Sequence, residues 1–567
     1  MNPTTTKRMP TPEEALASID RALRDAARAR YGVDDLSVAF EAPRRPEFGD
    51  FATNVAFGLA KAARNAPQQI AQALIEDAIS SRPEIAALVV DAQATAGFIN
   101  LRLAPGCWQR VVERVLTEGM RYGERPRNGT RISLEFGSAN PTGPLVVVQG
   151  RALSIGATLA ASFHACGYDV FTEWIVNDAG GQVETLARSL YARYRQIADA
   201  SYPFPEEGYP GEYLLPIAAA LRDEFGAAYD AADESTWLPL FGTRGRDALV
   251  AEQQRTVERF GIHYDLWQSE RELHETGKVR AGVERLRELG LTYESDGALY
   301  FRATQFGDDK DRVLVKSDGK PTYYCADVAY HYEKLKRADR VIDLLGPDHH
   351  GYIERLRGLA TALGYDGRLD VAIAQQVTLM RGGEQVSMSK RAGDIITLDA
   401  ILDEVGVDAA RFFFAMLATD TPLAFDLKLA TEQSNDNPVY YVQYGHARIA
   451  SVLRNADAAE LALARSGDIL SPLVHGSEIA LMRRIEEYPR VLQSVMTSLS
   501  PHRLARYARD IAADFHAFYG ECRILCEERN ERLARLALAA ATQHVLANAL
   551  RMLGVGAPES MERLTNS

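Results

Sequence analysis

The chain has 567 residues, of which 46% are hydrophobic and 25% charged, and its formal net charge at pH 7 is −13. At roughly 150 residues per domain this length predicts three or four domains, and the composition excludes a disordered chain. The acidic excess excludes binding to nucleic acid by bulk positive charge, although single domains can still carry basic surfaces. The cysteines are few and scattered, no apolar run reaches the ~18 residues of a membrane span, and the N-terminus has no signal-peptide core. We therefore expect a soluble, cytoplasmic protein.

The first 118 residues predict a self-contained α/β module. Thr11, Pro12 and Glu14 form the pattern of a capping box at the start of a helix, and apolar residues at helical spacing follow them. The segment GFINLRL (97–103) is typical of a strand.

Residues 125–375 predict a Rossmann-like domain. A buried strand (131–136), a loop rich in proline and glycine (138–144), a helix to about 165 and a second strand (170–176) follow one another there. This order is typical of a parallel βαβ unit, whose ligands bind at the carboxyl ends of the strands. A helical insertion is expected at about 185–260, and the strands are expected to return at 298–304, 312–316, 322–327, 339–346 and 371–380.

The remaining chain divides into a connecting region, 376–434, and an all-α domain, 435–567. The aromatic run 412–414 predicts a buried helix in the connecting region. Apolar residues at three-to-four spacing over 503–553 predict long helices in the last domain.

Two loops have the composition of phosphate-binding elements. The loop 138–144 opens a helix after a parallel strand and so presents backbone N–H groups to an anion, although an ordinary βα turn has the same composition. The segment RGGEQVSMSKRAG (381–393) places Lys390 and Arg391 among glycines, which suits it to covering phosphates. A solvated surface loop is the alternative for this second segment.

Together these segments resemble a class I aminoacyl-tRNA synthetase, and more closely an arginyl-tRNA synthetase. The resemblance spans almost the whole chain and is carried by FGDFATNVAF (48–57), SANPTGPL, VNDAG, DGALYFRATQFGDDKDRVLVKSDG, DVAYH, LGPDHHGY, MSKRAG, GVDAARFF, NPVYYVQYGHARI and VLANALRMLGVGAPE (545–559). It implies a Rossmann-like class I catalytic domain between an N-terminal α/β module and an all-α anticodon-binding domain. The implied reaction is ATP-dependent ligation of L-arginine to tRNA(Arg) through arginyl-adenylate, giving AMP and pyrophosphate.

The same resemblance implies the ligands. ATP with Mg²⁺ is expected as a substrate, and neither a protein metal site nor a tightly bound cofactor is expected. The partners are then tRNA(Arg), L-arginine and ATP, without a membrane, and the protein is expected to be a monomer. Two alternatives stay open: a non-adenylating paralogue that binds tRNA and arginine, and an arginine-activating enzyme with another acceptor.

The chain departs from the family at its signatures. Where the family has His-x-Gly-His, residues 146–149 read VVVQ, and where it has Lys-Met-Ser-Lys, residues 387–390 read SMSK. We therefore expect catalysis to depend on Lys390, Gln149 and Arg151, the nearby side chains with hydrogen-bond donors. The residues expected to contact ATP are Pro141, Gly143, Gly150, His350, Met388 and Lys390.

The residues that the resemblance assigns to arginine are Asn140, Glu270, Tyr323, Asp327 and His349. Their chemistry fits, because a guanidinium is a planar cation that binds carboxylates in fork geometry and stacks on aromatic rings. If a helix begins at 323, the i,i+4 spacing places Tyr323 and Asp327 on one side of it. Without the resemblance, Tyr323 is more typical of a core residue and Asp327 of a helix cap.

The residues expected to bind tRNA fall in two domains. Asp50 and Asn54 lie in the segment that resembles the module contacting the tRNA elbow, with domain packing as the alternative. Arg503, Arg506 and Tyr507 combine cations with an aromatic ring, which is what unstacked anticodon bases bind, although a solvated helix face has a similar composition.

Overall fold

The computed structural model describes residues 8–43, 45–386 and 396–561. Its N-terminal module contains α1 (Pro12–Tyr31), β1 (Phe51–Thr53), α2 (Val55–Ala63), α3 (Pro67–Leu74), α4 (Pro83–Ala86), β2 (Val89–Thr95), β3 (Phe98–Leu103) and α5 (Pro105–Glu118). The strands form an antiparallel sheet in the order β1–β3–β2. The predicted capping box is present on α1: Thr11 Oγ1 accepts from the Glu14 N–H, and the Glu14 carboxylate accepts from the Thr11 N–H.

The central domain follows from residue 131. In chain order its elements are β4 (Arg131–Phe136), α6 (Val147–Ala165), β5 (Asp169–Val176), α7 (Gly181–Ala198), α8 (Leu214–Phe225), α9 (Glu234–Arg259), β6 (Leu266–Ser269), α10 (Glu270–Glu275), α11 (Lys278–Glu288), β7 (Thr292–Ser295), β8 (Ala298–Phe301), β9 (Arg312–Val315), α12 (Tyr323–Arg337), β10 (Arg340–Leu345), α13 (Ile353–Ala362) and β11 (Leu369–Ile373). Five of the described strands form a parallel sheet in the order β11–β10–β4–β5–β6. The prediction of a Rossmann-like α/β domain is confirmed.

The strand predicted at 322–327 is wrong. Thr322 still bonds to β9, where its N–H donates to the Leu314 carbonyl at 2.8 Å, but α12 begins at the next residue. The aromatic composition suggested a strand, whereas Tyr324, Cys325 and Val328 form a buried helical stripe against the core below β10. Tertiary packing here overrides local propensity.

The connecting region contains β12 (Val377–Arg381), β13 (Glu384–Gln385), α14 (Leu398–Val405), α15 (Val407–Ala415), β14 (Leu423–Asp426) and α16 (Leu427–Thr431). The strand predicted over 371–380 is two strands, since β11 belongs to the parallel sheet and β12 pairs with β13 and β14. The aromatic run 412–414 lies buried on α15, as predicted.

The C-terminal domain is helical, with α17 (Pro438–Arg454), α18 (Ala458–Arg465), α19 (Gly476–Ser498), α20 (His502–Glu521) and α21 (Arg529–Leu553). Its helices bury apolar stripes against one another, and α19 and α21 also pack against α5 of the N-terminal module. Among the described residues, no helix has both the length and the apolar character needed to cross a membrane.

Candidate active site

A cavity of about 320 Å³ opens at the carboxyl ends of β4, β5 and β10. This is the edge where parallel α/β sheets bind ligands. The charged side chains that line it include the carboxylates Glu135, Glu270 and Asp327, and Tyr323 and Gln149 also lie in its wall. The cavity is therefore acidic on one side and borders the first turn of α6 on the other.

The start of α12 brings two predicted residues together. Tyr323 is its first residue and Asp327 follows one turn later, so both side chains line the cavity as the i,i+4 spacing predicts. The Tyr323 ring is 64% exposed and lies against Gly180, where a Cβ would stand 2.5 Å from the phenol oxygen. Gly180 also has a φ of +95°. Both this backbone conformation and the close approach of Tyr323 therefore favour glycine in the loop before α7.

Glu270 reaches the cavity from the first turn of α10. Ser269 caps this helix, and Asp178 accepts from the Ser269 hydroxyl at 2.9 Å and from the Arg271 N–H at 3.0 Å. Burial, together with the charges of Asp327 and Asp178, raises the pKa of Glu270 to about 7. Burial likewise raises the pKa of Asp327 to about 6. Burial is the first cause of both shifts; at Glu270 the neighbouring carboxylates add to it, so a cationic ligand is favoured there.

The polar residues of the cavity that were not predicted from the sequence include Glu135, Ser138 and His331. Glu135 is buried on β4, and its Oε1 accepts from the Ser138 hydroxyl at 3.1 Å. A glutamate within the otherwise apolar end of the predicted strand was the available signal for the first. For His331 the signal was its position one turn after Asp327 on the same helix.

The loop 138–144 is held by the helical insertion. Gln253 on α9 donates to the carbonyls of Asn140 and Gly143 at 3.0 and 2.9 Å, and Tyr213 donates to the Thr142 carbonyl at 2.8 Å. Asn140 is exposed, and its side chain accepts from Asn177, a residue of the cavity wall, at 3.3 Å. Pro141 is buried within the loop.

The first turn of α6 faces the cavity with Val148 and Gln149. Gln149 Oε1 accepts from the Val146 N–H at 3.3 Å, as a residue at the third helical position does in a cap. The side-chain amide nitrogen then remains a donor beside the backbone N–H groups of the turn. A helix N-terminus with these groups is suited to an anion.

Three family models each match a part of this chain. Family models described as arginyl tRNA synthetase N terminal domain, tRNA synthetases class I (R) catalytic domain and DALR anticodon binding domain match residues 13–103, 243–415 and 442–561. An arginine–tRNA ligase of Shouchella clausii is 43% identical, with 93% of this chain and 94% of the relative covered. One of Heliobacterium modesticaldum is 44% identical over 92% of this chain and 94% of its own length. The chain belongs to the arginyl-tRNA synthetase family.

Solved structures agree with this assignment. A putative arginyl tRNA synthetase from Campylobacter jejuni superposes with a TM-score of 0.73 at 30% identity, covering 81% of this chain and 100% of its own. The Thermus thermophilus arginyl-tRNA synthetase has the same fold at 22% identity, with a TM-score of 0.73 and coverage of 96% and 100%. The predicted order of an N-terminal module, a class I catalytic domain and a helical anticodon-binding domain is thereby confirmed.

Two residues expected near the triphosphate have other roles in this synthetase fold. Arg151 is 0% exposed, and its guanidinium donates to the backbone carbonyls of residues 375, 376, 418 and 421 at 2.6–3.3 Å. The prediction that it reaches the triphosphate is wrong, because its terminal nitrogens bind the connecting region. Gly150 faces Leu398 and Phe414, which a Cβ would approach to 2.7 and 3.0 Å, so it packs α6 closely against these side chains, and its contact with ATP stays a prediction.

For four other residues, the expected contacts with arginine or ATP stay predictions. Lys390 and Met388 lie outside the described residues. His349 and His350 belong to a short 3₁₀ turn, Pro347–Tyr352, that follows β10 at the cavity edge.

Two of the residues expected to bind tRNA are buried in domain contacts. Asp50 accepts from the Leu103 N–H at 2.8 Å and from Trp108 Nε1 at 3.3 Å, and it forms an ion pair with Arg483 on α19. Tyr507 is buried, and its hydroxyl donates to the Arg484 carbonyl at 2.8 Å. Both predictions are wrong, and for Asp50 the packing alternative holds.

The other residues expected to bind tRNA lie on the surface. Arg503 and Arg506 are exposed on α20, and Arg506 lines a cleft with Tyr441, His502 and Arg509. Asn54 is exposed beside Phe98 and Asn100 in a cavity of the N-terminal module.

Proposed function

We propose that this chain ligates L-arginine to tRNA(Arg), using ATP with Mg²⁺ and releasing AMP and pyrophosphate through arginyl-adenylate. One observation carries the proposal: three carboxylates on β4, α10 and α12 converge in a cavity that borders the N-terminus of α6. This arrangement suits a cationic amino acid lying next to a polyphosphate.

Arginine binds with its guanidinium among Glu135, Glu270 and Asp327 and with the Tyr323 ring over the substrate. The charged guanidinium meets the carboxylates of Glu270 and Asp327, with which charge-assisted hydrogen bonds are strong. Asn140 and His349 complete the arginine site in this proposal. The site fixes the substrate carboxylate in the direction of the α6 N-terminus.

The triphosphate binds to the first turn of α6, where backbone N–H groups and the Gln149 amide donate to it. Pro141, Gly143, His350, Met388 and Lys390 complete the ATP site. The arginine carboxylate then attacks the α-phosphorus, and pyrophosphate leaves toward Lys390. Catalysis is positional and electrostatic, because the attacking oxygen belongs to the substrate and no protein nucleophile is needed.

The transfer RNA binds to the C-terminal and N-terminal domains. Arg503 and Arg506 on α20 supply exposed cations beside a cleft with an aromatic wall, and Asn54 borders the cavity of the N-terminal module. The proposal includes a monomer that acts in the cytoplasm. Sedimentation of the purified protein, alone and with tRNA(Arg), tests the monomer.

Aminoacylation tests the proposed function directly. Purified protein with ATP, Mg²⁺, labelled arginine and tRNA(Arg) should form arginyl-tRNA, and ATP–pyrophosphate exchange should depend on arginine. Exchange with lysine or ornithine in place of arginine is the control for the pocket. Tight binding of arginine and tRNA without exchange would overturn the proposal in favour of a non-adenylating paralogue.

A further inference from the structure

A buried ammonium group lies beneath the carboxylates of the cavity. Lys334, two turns along α12 from Asp327, is 0% exposed. Its Nζ lies 2.6 Å from Glu135 Oε2 and 2.5 Å from Asp343 Oδ1 on β10. Glu135 lines the cavity, whereas Lys334 and Asp343 lie behind it, so the ammonium acts on the cavity through Glu135.

His331 supplies a second cation to the same cluster. Its Nδ1 lies 2.7 Å from the Asp327 carbonyl oxygen, and its Nε2 lies 3.0 Å from Asp343 Oδ2. A carbonyl and an ionised carboxylate can only accept, so both ring nitrogens donate and the ring is an imidazolium. Although burial opposes the charge, the hydrogen bond to Asp343 raises the pKa of His331.

The two carboxylates of the cluster, Asp343 and Glu135, therefore differ in their cationic partners. Asp343 accepts from both Lys334 and His331, which lower its pKa below the usual range despite its burial. Glu135 has Lys334 as its cationic partner and the Ser138 hydroxyl as its neutral one. Burial raises the pKa of Glu135, and Lys334 opposes that rise.

We propose that Lys334 is a positioning residue for arginine: shared between Asp343 and Glu135, it keeps Glu135 ionised and directed at the cavity, where the carboxylate receives the substrate cation. The identity of that cation rests on the proposed function. Without the ammonium, two buried carboxylates would face each other and one would take up a proton. That carboxylate is Glu135, because Asp343 keeps His331.

The titratable and charged groups around this pair come from every element packed against it. They are His331, Asp327 and Tyr330 on α12, Asp343 on β10, Glu173 on β5, Tyr264 before β6, Glu270 on α10 and Arg355 on α13. The raised pKa of Glu270, about 7, affects arginine binding in any variant of Lys334. The test therefore compares each variant with the native chain at the same pH.

Arg337 offers a matched control. It lies one turn beyond Lys334 on α12, and its guanidinium lies 2.7 Å from Glu173 Oε1, a carboxylate that is also fully buried. Glu173 does not line the cavity. Replacing Arg337 therefore removes a cation from the same helix and an ion pair from the same sheet without touching Glu135.

The experiment measures ATP–pyrophosphate exchange of Lys334→Met and Arg337→Met, with tRNA(Arg) present, between pH 6.5 and 8.5. At pH 7, Lys334→Met should raise the KM for arginine about tenfold, the effect of roughly one unit of pKa on an ionised partner. The KM for ATP should not change. The ratio of the variant to the native KM for arginine should fall as the pH rises, because Glu135 then ionises without the ammonium. Arg337→Met should show neither effect.

A second variant covers the case in which Lys334→Met does not fold. Lys334→Gln keeps a hydrogen-bond donor between the carboxylates but removes the charge, and it should give the same pH-dependent ratio. A ratio that does not vary with pH, an equal rise in both KM values, or the same effect in Arg337→Met would overturn the role of Lys334. Absence of arginine-dependent exchange in the native chain would instead overturn the proposed function.

Discussion

In the proposed function, the two halves of the cavity recognise their ligands with different parts of the chain. The arginine half consists of side chains: Glu135, Glu270 and Asp327 come from three separate elements, and hydrogen bonds or ion pairs fix each element. The phosphate half is the first turn of α6, where three valines and Gln149 replace the family's histidine signature. Backbone carbonyls hold the buried Arg151 guanidinium, yet burial lowers its pKa to about 10, so carboxylate side chains are the stronger partners for a substrate guanidinium. A helix N-terminus presents N–H groups whatever its side chains are, so the phosphate half tolerates the change better.

The largest effect should come from the arginine half. Asp327→Ala should lower kcat/KM for arginine by a factor that corresponds to about 2–5 kcal/mol, because it removes one of the carboxylates around a buried cationic substrate. Pyrophosphate exchange measures this loss. Asp339→Ala is the control, since Asp339 forms an ion pair with Arg131 on the protein surface, at 3.0 Å, and its loss should cost at most about 1 kcal/mol of stability. A native arginine KM in Asp327→Ala would refute the placement of the guanidinium.

Gln149→Ala removes a side-chain donor from the first turn of α6. It should raise the free-energy barrier of arginine activation by about 1.5–3 kcal/mol, the contribution of a hydrogen bond to a charged group. The triple variant V146H/V148G/Q149H restores the family signature and should match or exceed the native rate. If the native chain were inactive and the triple variant active, the view that backbone amides suffice would fail.

The pH dependence of arginine activation should distinguish the two halves of the cavity already in the native chain. Glu270 and Asp327 have pKa values of about 7 and about 6, and only their ionised forms attract the guanidinium. Therefore kcat/KM for arginine should rise with pH between 5 and 8, by up to about tenfold per pH unit between 6 and 7, where Glu270 titrates, and more steeply below 6, where both groups titrate. Glu270→Gln should remove the upper inflection. An identical profile for the KM of ATP would show that the titrating groups do not belong to the arginine half.

The smallest effect is expected at the tRNA surface. Arg506→Ala should weaken tRNA binding several-fold and reduce the salt dependence of log Kd by about one phosphate contact. Tyr507→Phe should leave tRNA binding unchanged, because the Tyr507 hydroxyl donates to the Arg484 carbonyl inside the domain. Filter binding at several salt concentrations measures both. A stronger effect from Tyr507→Phe than from Arg506→Ala would reverse the assignment.

Sequence patterns predicted the residues that line the arginine half of the cavity better than they distinguished residues that bind other parts of the protein. The spacing of Tyr323 and Asp327 predicted one helix face, and both line the cavity. The same reasoning failed for Arg151, Asp50 and Tyr507, whose residue types suit a ligand but whose side chains bind other parts of the protein. A charged or aromatic side chain has the same local pattern whether its partner is a substrate or a carbonyl distant in sequence.

The sequence by itself determined the parallel βαβ unit, the helical C-terminal domain and the resemblance to arginyl-tRNA synthetases, because these depend on local periodicity and on contiguous motifs. Only the tertiary structure decided which carboxylates share one cavity and which cations stand behind them. Glu135, Lys334 and Asp343 are 9 to 208 positions apart, yet they meet as two adjacent strands and one crossover helix pack together. No local pattern encodes this proximity, because it depends on the order of the strands and on how they pack. The burial that results also shifts the pKa values of these groups and therefore the charges in the site.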